Sequence, residues 1–148
     1  MANGGSISLV MLPLLILSLR KGFIKGFISS GIVFGLITCF FDGYGFVTYP
    51  FDYLLGFGSL ALIGLFRPLI FNNKNRLTIK SVIFLVFSMI LAISTRLLFS
   101  TISGMIFYGL NFGGSLVYNI TYLLPSSIFV LIGILLLFPS ILKLEKKK

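Results

Sequence analysis

The polar groups of this chain that could do chemistry are few. Asp52 stands beside Tyr53 in F-D-Y, Asp42 closes the preceding apolar run, Arg96 sits inside a long apolar stretch, and Asn119 lies in Y-N-I-T-Y. A carboxylate next to an aromatic face suits a positively charged heteroaromatic ring, because it offers a counter-ion and a π surface together. Catalysis is harder to build. The chain has no His, a single Cys (Cys39) in an apolar stretch, no nucleophile beside a base and no glycine loop followed by Lys that would cradle phosphate. The reading is a binding protein and not an enzyme, with no cofactor, no metal site and no internal disulfide.

The elements that must position these groups are apolar. The 148 residues are 57% hydrophobic and only 10% charged, with a mean hydropathy of +1.12. A soluble domain of this size cannot hide that much apolar surface. Runs near 20 residues match a bilayer core of about 30 Å. Five spans are expected, at about 6–19, 22–41, 50–67, 78–108 and 115–139, forming one all-α integral membrane helical bundle with a basic tail at 143–148. The first span carries Pro13 and the last Pro125. The fourth stretch exceeds the membrane thickness, so it must tilt, bend or project.

Charge sets the orientation. The net charge is +9, but the cations punctuate apolar runs and do not form a patch for nucleic acid. Arg20, Lys21 and Lys25, then Arg67, Lys74, Arg76 and Lys80, then Lys143, Lys146, Lys147 and Lys148 fall in alternate connections. These should be cytoplasmic, with the C-terminus. Asp42, Asp52 and the 42–50 and 109–114 loops then face outward. Five spans place the N-terminus outside, an unusual start that would make sense if a further N-terminal helix were missing.

Several readings stay open on the residues alone. Arg96 lies in the outer half, either paired with Asp42 or Asp52 to fix the bundle, or leaving a carboxylate free for a ligand cation. Asn119 bonds another helix or a ligand. Tyr44, Tyr49, Tyr53 and Tyr108 form an aromatic belt or stack on a flat ligand. Gly22, Gly26, Gly31 and Gly35 serve packing inside the bundle or docking of a partner membrane protein.

Four strings carry a resemblance, in order along nearly the whole chain: N-G-G-S-I-S-L through G-L-I (3–37), F-D-Y-L-L-G-F-G-S-L-A-L-I-G-L-F-R-P (51–68), R-L-L-F-S-T-I-S-G-M-I-F-Y-G (96–109) and S-L-V-Y-N-I-T-Y-L-L-P (115–125). The chain resembles the thiamine-specific substrate-binding subunit of energy-coupling factor (ECF) transporters, matching helices two to six of a six-helix family. The resemblance implies a multi-pass protein of the bacterial cell membrane that captures thiamine, or a related cationic heteroaromatic, near the outer face. Its implied partners are the lipid bilayer, a transmembrane coupling subunit and two cytoplasmic ATPase subunits. It implies Asp52 as the counter-ion, Tyr53, Tyr108 and Phe34 as ring walls, and Asn119 and Ser100 as polar contacts. Phe34 and Tyr108 stand where some members have Trp, Ser100 where the family has His, Ser8 where some have Glu, and Gly114 in place of a Tyr. These departures also fit a subunit that has drifted to another vitamin or a thiamine precursor. A truncated, non-transporting membrane protein is the alternative from a different class.

Overall fold

Pro13 falls in the first turn of the first helix, where a missing N–H has no intrahelical acceptor to lose, so α1 runs Met11–Lys21. It starts later than the expected 6–19 span. Gly22 then reverses the chain in a single residue, with φ +87°, and donates its N–H to the Ser18 carbonyl at 2.8 Å. Few residues other than glycine tolerate that backbone. In the computed structural model, which describes residues 7–43, 45–71 and 78–145, four longer helices follow: α2 Phe23–Asp42, α3 Tyr49–Ile70, α4 Ile79–Tyr108 and α5 Phe112–Glu145. The N-terminal N-G-G-S, Tyr44, Lys74, Arg76, Lys146, Lys147 and Lys148 lie outside the described residues.

The protein is an all-α membrane bundle. Helices α2 to α5, of 20, 22, 30 and 34 residues, are long and apolar enough to cross a membrane. At 1.5 Å per residue, α1 is about 16 Å long, half the depth of the apolar core. Helix α4 starts with a cap, the Thr78 hydroxyl accepting from the Ser81 N–H, and ends on Gly109 at φ +63°. Helix α5 continues through both Pro125 and Pro139 and extends beyond the expected 115–139 at each end. Large side chains such as Ile24, Phe40, Ile90 and Leu136 face outward, as suits helices solvated by lipid and not by water.

Helix α3 is the centre of the bundle. Its most apolar window is 56% buried, against 28% for each of the other three long helices. Leu60 and Ile63 of α3 are fully buried and pack in one core with Leu15 and Leu19 of α1, Leu85 of α4, and Val130 and Ile134 of α5. Small residues let it in. A Cβ on Gly64 would lie 2.6 to 2.8 Å from the backbone of Phe23, Gly22 and Ser18. One on Gly31 would lie 2.7 Å from the Leu54 carbonyl and 3.1 Å from Gly58 Cα. Gly26 abuts Ser18, and Gly35 abuts Tyr53. Gly26, Gly31 and Gly35 of α2 therefore serve packing inside the bundle.

The same close approach widens the helices. Ile28–Phe34 in α2 and Tyr49–Leu55 in α3 are wound as π-helix and pack on each other, and Ser59–Phe66 tightens to 3-10 geometry. Such turns shift every following side chain around the axis and often sit at functional positions. At the other end of the bundle, Arg67 of α3 pairs with the buried Glu145 of α5.

The Gly64 contact gives the first test. Gly64→Ala is expected to destabilise the detergent-solubilised protein by about 1–3 kcal/mol, since backbone atoms cannot swing aside. Gly113→Ala meets only Asn111 Oδ1 at 3.9 Å and should leave thermal melting unchanged or raised.

Candidate functional site

A cavity of about 480 Å³ opens near the acidic end of the bundle, and all five helices line it. That volume falls within the range of small-molecule sites, roughly 300–1,000 Å³. The π-helical turns place Phe34 from α2, and Asp52 and Tyr53 from α3, on its wall. Helix α4 presents Arg96, Ser100, Gly104 and Tyr108 at spacings of four and eight, one face of a helix. Helix α5 presents Asn119, Tyr122 and Ser126 by the same rule. The six residues singled out for binding (Asp52, Tyr53, Asn119, Tyr108, Phe34 and Ser100) all line this one cavity, and Ser8 lies at its edge. Gly114 is exposed and is not part of the lining.

The polar wall is held by short bonds. Ser103 Oγ donates to Asp52 Oδ2 at 2.6 Å, which fixes one carboxylate oxygen to α4. Tyr53 OH donates to Asp42 Oδ2 at 3.0 Å, clamping α3 to the end of α2. Asn119 is tied within its own helix. Its Nδ2 donates to the Ser115 carbonyl at 2.9 Å, and its Oδ1 accepts from Tyr122 OH at 2.6 Å. Ser115 Oγ in turn donates to the Thr101 carbonyl at 2.9 Å, against Gly104, where α4 and α5 touch. Asn119 thus does not bridge helices; its neighbour Ser115 does.

The aromatic wall centres on Phe57. Phe34 meets it edge-on at 4.9 Å and 80°, and Tyr53 lies 6.3 Å away. Tyr118 and Tyr122 form a second pair across the cavity on α5, 5.7 Å apart. Tyr53 is buried, whereas Tyr108 is 47% exposed, which puts it at the rim. Tyr49 is not part of the lining and donates to the Gly31 carbonyl at 3.4 Å.

Pairing of Arg96 with Asp42 or Asp52 is one of the two readings open on the residues alone. Among the described residues no carboxylate lies within ion-pair distance of it. Its guanidinium instead sits over the Phe57 ring, 4.0 Å from the centroid. The hydrogen bonds to the carboxylates come from hydroxyls, Ser103 to Asp52 and Tyr53 to Asp42, so no direct contact ion pair ties Arg96 to either among the described residues.

Comparison with known proteins supplies a family. Residues 1–146 match the family described as thiamine transporter protein. The chain belongs to that family. It is also 31% identical to the thiamine transporter ThiT of Bacillus subtilis (strain 168) over 166 aligned positions, covering 99% of this chain and 83% of the relative. No solved structure gives a significant match.

Phe57, Ser103, Tyr118 and Tyr122 were not singled out from the sequence. The signals were present: Phe57 follows Tyr53 by four, Ser103 follows Arg96 by seven, and Tyr118 and Tyr122 bracket Asn119. They could not be separated from ordinary helix packing until the cavity joined the faces. The Asn119–Tyr122 bond is testable as a unit. Asn119→Leu and Tyr122→Phe are each expected to lower stability by about 1–2 kcal/mol, and the double variant by less than their sum. Thermal melting of the four proteins gives the cycle.

Proposed function

We propose that this protein captures thiamine at the cavity and delivers it across the membrane as the substrate-binding subunit of an ECF importer. The observation that carries the reading is Asp52 on the wall of a cavity beside the Tyr53–Phe57–Phe34 aromatic cluster. Thiamine carries a fixed positive charge on a flat thiazolium ring. Asp52, with one oxygen on Ser103, supplies the counter-ion, and the rings supply π faces, in surroundings of low dielectric where the attraction is strongest. Tyr108 closes the rim, and Asn119 and Ser100 offer the polar contacts for the rest of the ligand. Family membership supports the ligand.

The transport partners follow from the resemblance. A coupling subunit and two ATPases would supply the energy, and this chain would contribute recognition without chemistry of its own. The distribution of cations supports an orientation with the 109–114 loop and the cavity mouth outside a bacterial cell membrane and the C-terminus in the cytoplasm.

Calorimetric titration with thiamine tests the site. The detergent-purified protein should bind, and Asp52→Asn should weaken binding at least about 30-fold, since the ligand cation would then be buried unpaired. Unchanged affinity in the variant would remove Asp52 as counter-ion. Topology is tested separately, because the native Cys39 is buried and gives little labelling background. A cysteine replacing Asn111 is expected to react with an impermeant maleimide in intact cells, and one replacing Lys143 only after the membrane is opened.

A further inference from the structure

We propose that Arg96 is a ligand-binding residue, whose guanidinium takes an electron-rich acceptor on the ligand, so that the site reads a molecule positive at one end and hydrogen-bond-accepting at the other. This rests on the thiamine-capture reading and assigns the pole that Asp52 does not serve.

Arg96 is only 9% exposed, and its Nε and Nη1 have no hydrogen-bond partner among the described residues. A cation at membrane depth is ordinarily paired, or bonded to carbonyls. The groups around it are committed elsewhere. Asp52 accepts from Ser103, Asp42 accepts from Tyr53, and Asn119 Oδ1 accepts from Tyr122. Arg96 and Asp52 nevertheless line the same cavity. The bundle thus keeps two opposite charges on the wall of one space with no direct ion pair between them among the described residues.

Phe57 explains how Arg96 is held. The guanidinium carbon sits over the ring, 4.0 Å from its centroid. A ring π face attracts the cation without taking up its in-plane donors, so Nε and Nη1 stay available to an acceptor. The side chain is held by an apolar partner while Nε and Nη1 stay unspent. An arginine kept only to tie the bundle together would have its donors on protein carbonyls or carboxylates.

Two kinds of acceptor satisfy this chemistry: a neutral lone pair, as on the pyrimidine nitrogens or hydroxyl of thiamine, and an anionic oxygen, as on thiamine monophosphate. Arg96→Gln, Arg96→Lys and Asp52→Asn are compared with the parent protein, by melting without ligand and by titration with both compounds. Arg96→Gln removes an unpaired buried charge, so its ligand-free melting temperature should equal or exceed that of the parent, while its affinity falls about tenfold or more. Arg96→Lys keeps the charge but loses the planar donors and should fall between. Equal losses for both compounds identify a neutral acceptor. A larger loss for the monophosphate identifies the anionic oxygen. The proposal is overturned if Arg96→Gln binds both compounds as the parent does while Asp52→Asn does not, which leaves thiamine capture standing. It is also overturned if Arg96→Gln loses stability and affinity together, the mark of a structural arginine. If the parent binds neither compound, thiamine capture and this inference fall together.

Discussion

Backbone-level contact between α3 and the α1–α2 corner is the constraint on which the rest of the structure depends. Lipid does not drive helices together as water does, so association relies on van der Waals contact over closely fitted surfaces. Gly64 against Gly22 and Phe23, and Gly31 against Leu54 and Gly58, supply that fit. With α3 in the middle, α1, α2 and α4 share one partner, α5 packs on α4 and α1, and the buried leucines and isoleucines of four helices join one core. The π-helical turns in α2 and α3 lie where these two helices cross. Packing geometry and site geometry are therefore one problem, since those same turns carry Phe34, Asp52 and Tyr53 to the cavity.

The polar groups follow a second rule. Away from water, each donor or acceptor left unpaired carries its full desolvation cost. Most serines and threonines meet it locally by donating to a carbonyl three or four residues back, as Ser18, Ser30 and Thr101 do. Ser59 reaches across to Ala92, and Ser115 to Thr101, which stitches α3 to α4 and α4 to α5. Against that economy Arg96 stands out, with two buried donors, Nε and Nη1, that have no partner among the described residues. Charges of both signs gather at the cavity, while the Arg67–Glu145 pair seals the opposite end.

Much of the fold was legible in the sequence. Long apolar runs separated by cationic or glycine-rich connections can only be membrane helices, because no other open structure satisfies its backbone in lipid. The boundaries were less legible. Helix α5 runs on to Glu145, past the apolar stretch expected to end at 139, because a helix need not stop where its apolar run does. The face-forming residues of α4 and α5 were visible as spacings of three, four and seven. Their direction was not, because lipid-facing and bundle-facing positions are almost equally apolar, and the usual amphipathic signal is absent.

What the sequence by itself determined is the class of molecule, its charge asymmetry and the small set of polar groups available for binding. It also determined the pairing of Asp52 with an adjacent Tyr, since neighbours in the chain stay neighbours. Only the tertiary structure decided that Asp42 bonds Tyr53 and not Arg96, that Asn119 is braced by Tyr122, and that Phe57 carries the guanidinium. The physical reason is range. Identity and local spacing are written residue by residue, whereas which polar group meets which depends on where α3 comes to rest among its neighbours. That position is set by glycine contacts between residues distant in the chain, which local spacing does not encode.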